Sequence, residues 1–276
     1  MDVISLSSFD LSLAASLLVL LSLLSMMLSL GLERKILFYG FRMTAQLLFI
    51  GLVLRFLFDS GSMLLVLLMS MVMLTAAGRE VQARQKRKIS GFTGYLISIA
   101  SMFVSSFSVT ILALLVIIRI DPWYTPQYAI PLLGMLLGNT MTGISLAMDR
   151  MTDQLYGRRN EVEQRLLLGQ TWQEASRDIR HDCMRTGMMP IINSMAAAGL
   201  VSLPGMMTGQ ILSGTPPIEA VKYQILIMFL IAAGTGFGVV STIWMAGLQL
   251  FDDRHRLCLG ILTADTPVKP RRNKRK

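Results

Sequence analysis

The stretch that decides the fold is residues 11–32, LSLAASLLVLLSLLSMMLSLGL, which contains no charged residue. A helix rises about 1.5 Å per residue, so a stretch of this length crosses the roughly 30 Å hydrocarbon core of a bilayer. The residues before it include Asp2 and Asp10 but no Lys or Arg. A signal peptide begins with positive charge, so we predict a retained transmembrane helix.

The rest of the chain is also rich in long apolar segments. Of its 276 residues, 53% are hydrophobic and only 16% are charged, which excludes a soluble enzyme, a disulfide scaffold and a disordered chain. Further apolar segments lie near residues 37–58, between Asp59 and Arg79, within 89–118 and 122–148, from about residue 188 onward, and at 223–251. We therefore predict an all-α polytopic membrane protein with about seven transmembrane helices, formed by residues 1–264.

The positive charges predict the orientation. With the N-terminus outside and seven crossings, all but three of the 26 Lys and Arg residues face the cytoplasm, the exceptions being Arg55, Arg119 and Lys222. Such a bias follows the positive-inside rule, and it predicts a multi-pass protein of the cytoplasmic (inner) membrane with a cytoplasmic C-terminus. Cys183 and Cys258 would then face a reducing compartment, so we expect no disulfide between them.

The basic tail, residues 265–276, has two interpretations. A nucleic-acid-binding arm is one, and a solvated topology anchor beside anionic lipid is the other. The anchor is favoured because the same charge sign recurs on the predicted cytoplasmic side. The lipid bilayer, and no nucleic acid, is therefore the expected partner of this tail.

One predicted cytoplasmic loop is long, covering residues 149–187. We predict that Asn160 caps a first helix with Glu163 three residues on, and that Gly169 ends it. Thr171 and Glu174 have the spacing of a capping box, which predicts that a second helix starts there.

The second loop helix carries an apolar stripe. Trp172, Ala175, Ile179 and Cys183 recur at spacings of three and four residues, which places them on one helical face. This stripe favours two interpretations equally: a compact knob that docks into another chain, or a helix pair that packs on its own bundle.

The fifth and sixth spans contain residues that interrupt helices. Pro131, Pro190 and Pro204 remove backbone hydrogen bonds, and several glycines accompany them. Backbone freed inside lipid must find polar partners, so we expect broken helices that line a cavity. The predicted translocation path is built from nearby uncharged polar residues: Asn139, Thr140, Thr142, Asn193, Ser194, Ser202, Thr208 and Gln210. Close helix packing is the expected role of Gly234, Gly236 and Gly238 in the last span.

Two sequence absences concern the energy source. No Asp or Glu lies inside a predicted span, whereas proton-coupled carriers generally need an intramembrane ionisable group. No Gly-x-x-x-x-Gly-Lys-[Ser/Thr] motif occurs either, so we expect no cofactor in this chain, and ATP and Mg²⁺ on a partner subunit. Metal ligands are not identified, and the 21 Met residues are read as packing residues.

Two longer segments carry a resemblance to a known family. Residues 131–140, PLLGMLLGNT, and residues 199–212, GLVSLPGMMTGQIL, resemble the FetB-type permeases, as do the neighbouring residues 193–195, 219–220 and 223–224. These permeases are the membrane subunits of iron-export ABC transporters and include plant relatives linked to aluminium tolerance. The resemblance covers roughly residues 79–250 and excludes the basic tail.

The resemblance implies a homodimer of this chain with two copies of a separate ATP-binding cassette subunit, and export of iron or another metal. Glu163 and Gly169 also keep the Glu-to-Gly spacing of the loop by which ABC importer permeases contact their ATPase. Gln164 and Arg165 replace its two alanines, and its Pro is displaced to Pro190. The implied coupling residues are Glu163, Gly169, Thr171, Trp172, Glu174 and Ala175.

Two alternatives stay open. A membrane-embedded enzyme would use His181, Asp182 and Cys183 with Asp149 or Asp153 as metal ligands at the inner surface. Neighbours on a helix point in different directions, which weighs against such a site. A passive channel for a small molecule is the second alternative.

Overall fold

The computed structural model describes residues 7–252 and 254–263. In chain order its α-helices are α1 Ser8–Met27, α2 Glu33–Ser60, α3 Met63–Arg84, α4 Phe92–Met102, α5 Ser108–Leu112, α6 Pro126–Gly157, α7 Arg159–Leu167, α8 Trp172–Ala175, α9 Arg177–Ala197, α10 Gly205–Leu212 and α11 Pro217–Leu250. The π-helical turns Phe103–Phe107 and Ala113–Ile118 flank α5, and a 3-10 turn, Leu259–Ile261, follows α11. Two short strands, β1 Lys88–Ile89 and β2 Leu262–Thr263, complete the described chain.

The predicted all-α membrane fold is confirmed. Within the described residues, six helical segments are long and apolar enough to cross a membrane: α1, α2, α3, the run Phe92–Ile118, α6 and α11. They correspond to the predicted first to fifth and last spans. Hydrocarbon offers the backbone no hydrogen-bond partner, which is why these sequences form continuous helices.

The predicted sixth span differs from the rest. Its first part is the C-terminal half of α9, which ends at Ala197, and its second part is the short helix α10. Residues 198–204 between them are not helical. The interruption predicted from Pro204 and the neighbouring glycines is therefore present, whereas the one predicted at Pro190 is wrong, because α9 runs unbroken through that residue. The total of seven spans stays a prediction.

The predicted interruption of the fifth span is wrong. Helix α6 runs unbroken from Pro126 to Gly157 through Pro131. Pro131 lies close to the start of the helix and costs it one backbone hydrogen bond, which packing along the rest of α6 offsets. Besides the sixth span, the irregular one is the fourth, where the π-helical turns contain no Pro or Gly.

Helix α6 is the centre of the bundle, since it packs against α3, α9 and α11. The approach is closest at small residues: a Cβ added at Gly143 would lie 2.8 Å from the Gly187 carbonyl oxygen. A Cβ at Gly238 would lie 2.6 Å from the Thr140 methyl group, which confirms close packing at that predicted glycine. A Cβ added at Gly234 or Gly236 would lie 3.5 Å or 3.9 Å from its nearest neighbour, an ordinary van der Waals contact, so these two positions do not require glycine.

The segment after α11 folds back onto the loop between α3 and α4. Strand β2 pairs antiparallel with β1, with Lys88 opposite Thr263 and Ile89 opposite Leu262. The long loop predicted to be cytoplasmic lies at the same end of the bundle, because its Trp172 packs on Phe251, the residue that follows α11. Three predicted cytoplasmic regions thus share one end of the bundle, as the topology requires. The predicted tail, residues 265–276, lies outside the described residues.

The long loop is smaller than predicted. Helix α6 extends into it to Gly157 and α9 begins within it at Arg177, so only residues 158–176 lie between the two long helices. We call residues 158–176 the knob. Asn160 does not cap α7: the N-cap is Arg158, whose guanidinium donates two hydrogen bonds of 2.8 Å to Glu161. With α6 ending at Gly157, α7 starts before Asn160 is reached.

Candidate functional site

The interruption between α9 and α10 is built by a glycine and a proline. Gly199 adopts φ +82°, a left-handed conformation that favours glycine, and its N–H donates to the Ser202 carbonyl at 2.9 Å. Pro204 precedes the first residue of α10 and fixes the direction in which the chain continues. The result is a tight turn beside α6 and α11.

A cavity of about 520 Å³ lies between this turn and helices α6, α9 and α11. Most of its lining residues are apolar, including three methionines, and a few carry uncharged polar groups. None of the described lining residues is charged. The lining residues are Met135, Asn139, Ile191, Asn193, Ser194, Ala197, Ser202, Pro204, Gly205, Met206, Gln224, Ile227, Met228 and Ile231.

Half of the predicted path residues meet at this cavity. Asn139, Asn193, Ser194 and Ser202 all line it, although they come from three separate segments of the chain. The Asn139 amide donates to the Met135 carbonyl at 2.8 Å, which fixes its position on α6. The structure therefore brings together the residues nearest to the interruption of the sixth span.

The other predicted path residues lie elsewhere. Gln210 lines a neighbouring cavity of about 250 Å³ with Tyr128 and Tyr223. Thr142 and Thr208 hydrogen-bond to carbonyls of their own helical turns. Thr140 is 0% exposed and packs against Gly238, so it belongs to the α6–α11 contact and not to a cavity.

Gln224 on α11 is a cavity residue outside the predicted path. It is only 8% exposed, and its Oε1 has no hydrogen-bond partner among the described residues. Met135, Met206 and Met228, which the sequence indicated only as packing residues, also line the cavity. The available signal for Gln224 was an amide at the start of the long apolar part of α11, just after Glu219 and Lys222.

Helix α8 begins with the predicted capping box. The Thr171 hydroxyl accepts from the Glu174 N–H and the Glu174 carboxylate accepts from the Thr171 N–H, so the predicted capping box is confirmed. The Thr171 N–H and hydroxyl both donate to the Glu174 carboxylate and lower its pKa, the backbone hydrogen bond most. Gly169 adopts φ +89° just after α7, which confirms it as the predicted stop.

The apolar stripe packs on its own bundle. Trp172, Ala175, Ile179 and Cys183 are all buried in one cluster with residues of α11. The Trp172 ring stacks on Phe251 with ring centroids 5.5 Å apart. The second of the two interpretations therefore describes this face, and Trp172 and Ala175 are not free to touch another chain.

Ion pairs hold the knob in shape. The Arg165 guanidinium donates to Glu161 and to Asp178, each at 2.9 Å, and so joins α7 to α9. The hydrogen bond from Arg165 lowers the pKa of Asp178, and that from Arg158 lowers the pKa of Glu161. Arg165, which departs from the importer pattern, is thus a structural residue of the knob.

The tip of the knob carries exposed apolar side chains. Leu167 is 87% exposed and Leu168 is 83% exposed, and Gly169 and Gln170 complete the turn. Glu163 is also exposed. Among the predicted coupling residues, Glu163, Gly169, Thr171 and Glu174 lie at the surface, beside two leucines that the prediction left out.

The candidate enzyme site is not assembled. Asp182 accepts hydrogen bonds from Arg150 and Gln154. Burial raises the pKa of the Cys183 thiol to about 12, and His181 is exposed. Across residues 7–252 and 254–263, no three His, Cys, Asp or Glu side chains are placed to hold a metal ion.

Comparison with known proteins gives a consistent picture. The model of an uncharacterised protein family, UPF0014, matches residues 8–251. The chain is 37% identical to the UPF0014 membrane protein slr1647 of Synechocystis sp. over 83% of this chain and 87% of the relative. It is 30% identical to the "Probable iron export permease protein FetB" of Escherichia coli over 90% of this chain and 93% of the relative. It is also 30% identical to the protein ALUMINUM SENSITIVE 3 of Arabidopsis thaliana, over 91% of this chain and 90% of the relative. No solved structure gives a significant match.

Proposed function

The chain belongs to the UPF0014 family of membrane proteins, and on that premise we propose that it is the permease subunit of an ABC transporter that exports iron or another metal across the cytoplasmic membrane. The family resemblance drawn from residues 131–140 and 199–212 is confirmed by the similarity to FetB. A separate subunit would bind ATP and Mg²⁺ and supply the energy.

The observation that carries this proposal is the uncharged cavity at the interrupted sixth span. Four exposed predicted path residues and the buried Gln224 line it, so it opens at the surface of the bundle. Non-helical backbone at membrane depth is tolerated where it is buried in protein or lines a cavity, and such sites commonly bind transported molecules. A cavity of this kind supports a transport role.

Two helices connect the knob to the cavity, which supports coupling through the knob. Helix α9 leaves the knob at Arg177 and reaches the cavity at Ile191. Helix α11 lines the cavity at Gln224 and meets Trp172 at Gly247, roughly 35 Å further along its axis. A partner that displaced the knob would move both walls of the cavity, so Trp172 and Ala175 would act by transmitting motion.

We assign the contact with the ATPase to the exposed tip. Leu167 and Leu168 are apolar side chains at the end that carries the predicted cytoplasmic regions. A small apolar tip flanked by Glu163 and Glu174 resembles the centre of a protein interface with a polar rim. Glu163, Gly169, Thr171 and Glu174 would belong to this contact.

We also propose that two copies meet through one polar face, formed by Gly138, Asn139 and Thr142 of α6 with Asn193 and Ser194 of α9, so that the cavity lined by Asn139, Asn193 and Ser194 opens toward the second copy. Gly138, Asn139, Asn193 and Ser194 are exposed at membrane depth. By contrast, α2 exposes large apolar side chains such as Leu52 and Phe41, which suit lipid. Small and polar residues favour helix association in membranes, so a second copy fits the polar face better than lipid does.

The decisive experiment is co-purification followed by reconstitution. The tagged chain should retain a P-loop ATPase, and vesicles holding the complex should accumulate radioactive iron, supplied free and as a chelate, only with hydrolysable ATP. Accumulation without ATP would favour the passive channel. Absence of both an associated ATPase and accumulation would refute the proposed function.

A further inference from the structure

The size of the cavity bears on the form in which a metal would cross. A metal ion held by protein side chains has its donor atoms at only about 2 Å, which leaves no void around it. The cavity instead measures about 520 Å³, within the range of sites that hold small organic molecules. Its volume therefore matches a molecule and not a single ion.

The charge of the lining points the same way. None of the described lining residues is an Asp, Glu, His, Lys or Arg. The nearby Lys222 ammonium is already paired with Glu219 at 2.7 Å, and Lys222 lines a different cavity. A bare metal cation inside these walls would be desolvated without a compensating charge, which is strongly unfavourable.

The hydrogen-bonding groups of the wall favour a ligand that donates a proton. Gln224 lines the cavity, and its Oε1, which is shielded from solvent in this structure, lacks a partner among the described residues, so a ligand in the cavity meets it once the amide turns toward that space. An unsatisfied buried amide gains from any donor that reaches it. Asn193 and Ser194 add exposed polar groups on the α9 wall.

The remaining walls are adaptable. Met135, Met206 and Met228 come from α6, α10 and α11 and line the same space. Methionine side chains are flexible and polarisable, so they adapt to ligands of irregular shape. Walls of this kind suit a rounded apolar surface with a few polar groups.

We propose that the cavity binds a charge-neutral metal chelate of small-molecule size, and that Gln224 accepts a hydrogen bond from its organic ligand. This inference rests on the proposed function, because it names the form in which the transported metal enters the site. It excludes the free ion and charged complexes as the bound species.

The test uses the purified complex with its ATPase in lipid nanodiscs and four iron probes. Tris(acetohydroxamato)iron(III) is neutral and carries N–H donors, and tris(N-methylacetohydroxamato)iron(III) is neutral without them. Ferrous chloride under reductant supplies the free ion, and ferric EDTA supplies an anionic complex. Equilibrium dialysis measures binding, and ATP hydrolysis is measured in parallel.

We expect the N–H-bearing chelate to bind at least tenfold more tightly than free Fe²⁺ or ferric EDTA. Gln224→Leu should weaken binding of the N–H-bearing chelate by about tenfold, the typical effect of one buried hydrogen bond. The same substitution should leave the affinity for the N-methyl chelate unchanged. Gln249→Leu is the matched control, since Gln249 is an exposed residue on the same helix that does not line the cavity. The Gln249→Leu variant should bind both chelates with unchanged affinity.

Tight binding of free Fe²⁺ or ferric EDTA would overturn the inference, and so would unchanged affinity in Gln224→Leu. Failure of both neutral chelates to bind an assembled, ATP-hydrolysing complex would refute the inference and leave the proposed function standing. A chain that retains no ATPase would instead count against the proposed function.

Discussion

Gly247 of α11 lies directly against the indole ring of Trp172: a Cβ added at Gly247 would be 2.6 Å from Cζ3 of the ring and 2.9 Å from Cη2. The same ring stacks on Phe251, four residues further along the chain. The knob is therefore seated on the last span at a position where only glycine fits.

The first prediction concerns the contact between Gly247 and Trp172. Gly247→Ala should destabilise the protein by about 1–3 kcal/mol, because the rigid ring must shift to admit the methyl group. Gly236→Ala on the same helix is the control, since its nearest neighbour is the Met188 Sδ at 3.9 Å. That variant should be neutral or slightly stabilising, because alanine favours helix more than glycine does. Thermal unfolding followed by tryptophan fluorescence compares the two, and equal melting temperatures would contradict the described contact.

The second prediction concerns the knob tip. Leu167→Asp should abolish retention of the ATPase, because it places a charge in the proposed apolar contact. Asn160→Asp adds the same charge to an exposed position of the same helix and should retain the partner. Pull-down from solubilised membranes measures both variants. Equal retention by both would remove the tip from the interface.

The third prediction separates the cavity from the helix core. In a Cys258→Ser background, Asn193→Cys should react with a water-soluble maleimide, because Asn193 is exposed and lines the cavity. Thr140→Cys should stay unreactive, since Thr140 is fully buried against Gly238. Labelling is read by mass spectrometry in the presence and absence of nucleotide. An Asn193→Cys variant that never reacts would argue against an open path.

The native Cys183 gives this experiment an internal check. Burial raises the pKa of its thiol to about 12, so almost no thiolate exists at neutral pH. We expect Cys183 to remain unlabelled at pH 7 in the folded protein and to react once the protein is denatured. Rapid labelling of Cys183 in the native protein would indicate that the α9–α11 packing opens.

The fourth prediction concerns the polar face. Gly138→Cys should form a disulfide between two copies under mild oxidation, because equivalent residues near a two-fold axis approach one another. A Cβ at Gly138 meets no atom within 4 Å, so the substitution itself is tolerated. Gly51→Cys on α2 has the same free space and is exposed, and it should not cross-link. Cross-linking at Gly51 alone would assign the contact between copies to α2.

The local features of the sequence were predictable because each depends on near neighbours along the chain. Most of the uncharged run 11–32 forms α1, which ends at Met27, because lipid offers the backbone no alternative partner. Thr171 and Glu174 satisfy each other's backbone N–H groups across three residues. Gly169 ends α7 because glycine takes the left-handed conformation at low cost.

The tertiary structure alone decided which residues meet. Pro131 predicted a break in the fifth span, yet α6 continues through it. Packing against α3, α9 and α11 offsets the one backbone hydrogen bond that Pro131 removes. Gln224 joins Asn139 and Asn193 at one cavity although long stretches of chain separate them. Trp172 and Gly247 likewise fit together only because two distant helices cross there. Such contacts depend on complementary shape between segments remote in sequence, which no local pattern of residues encodes.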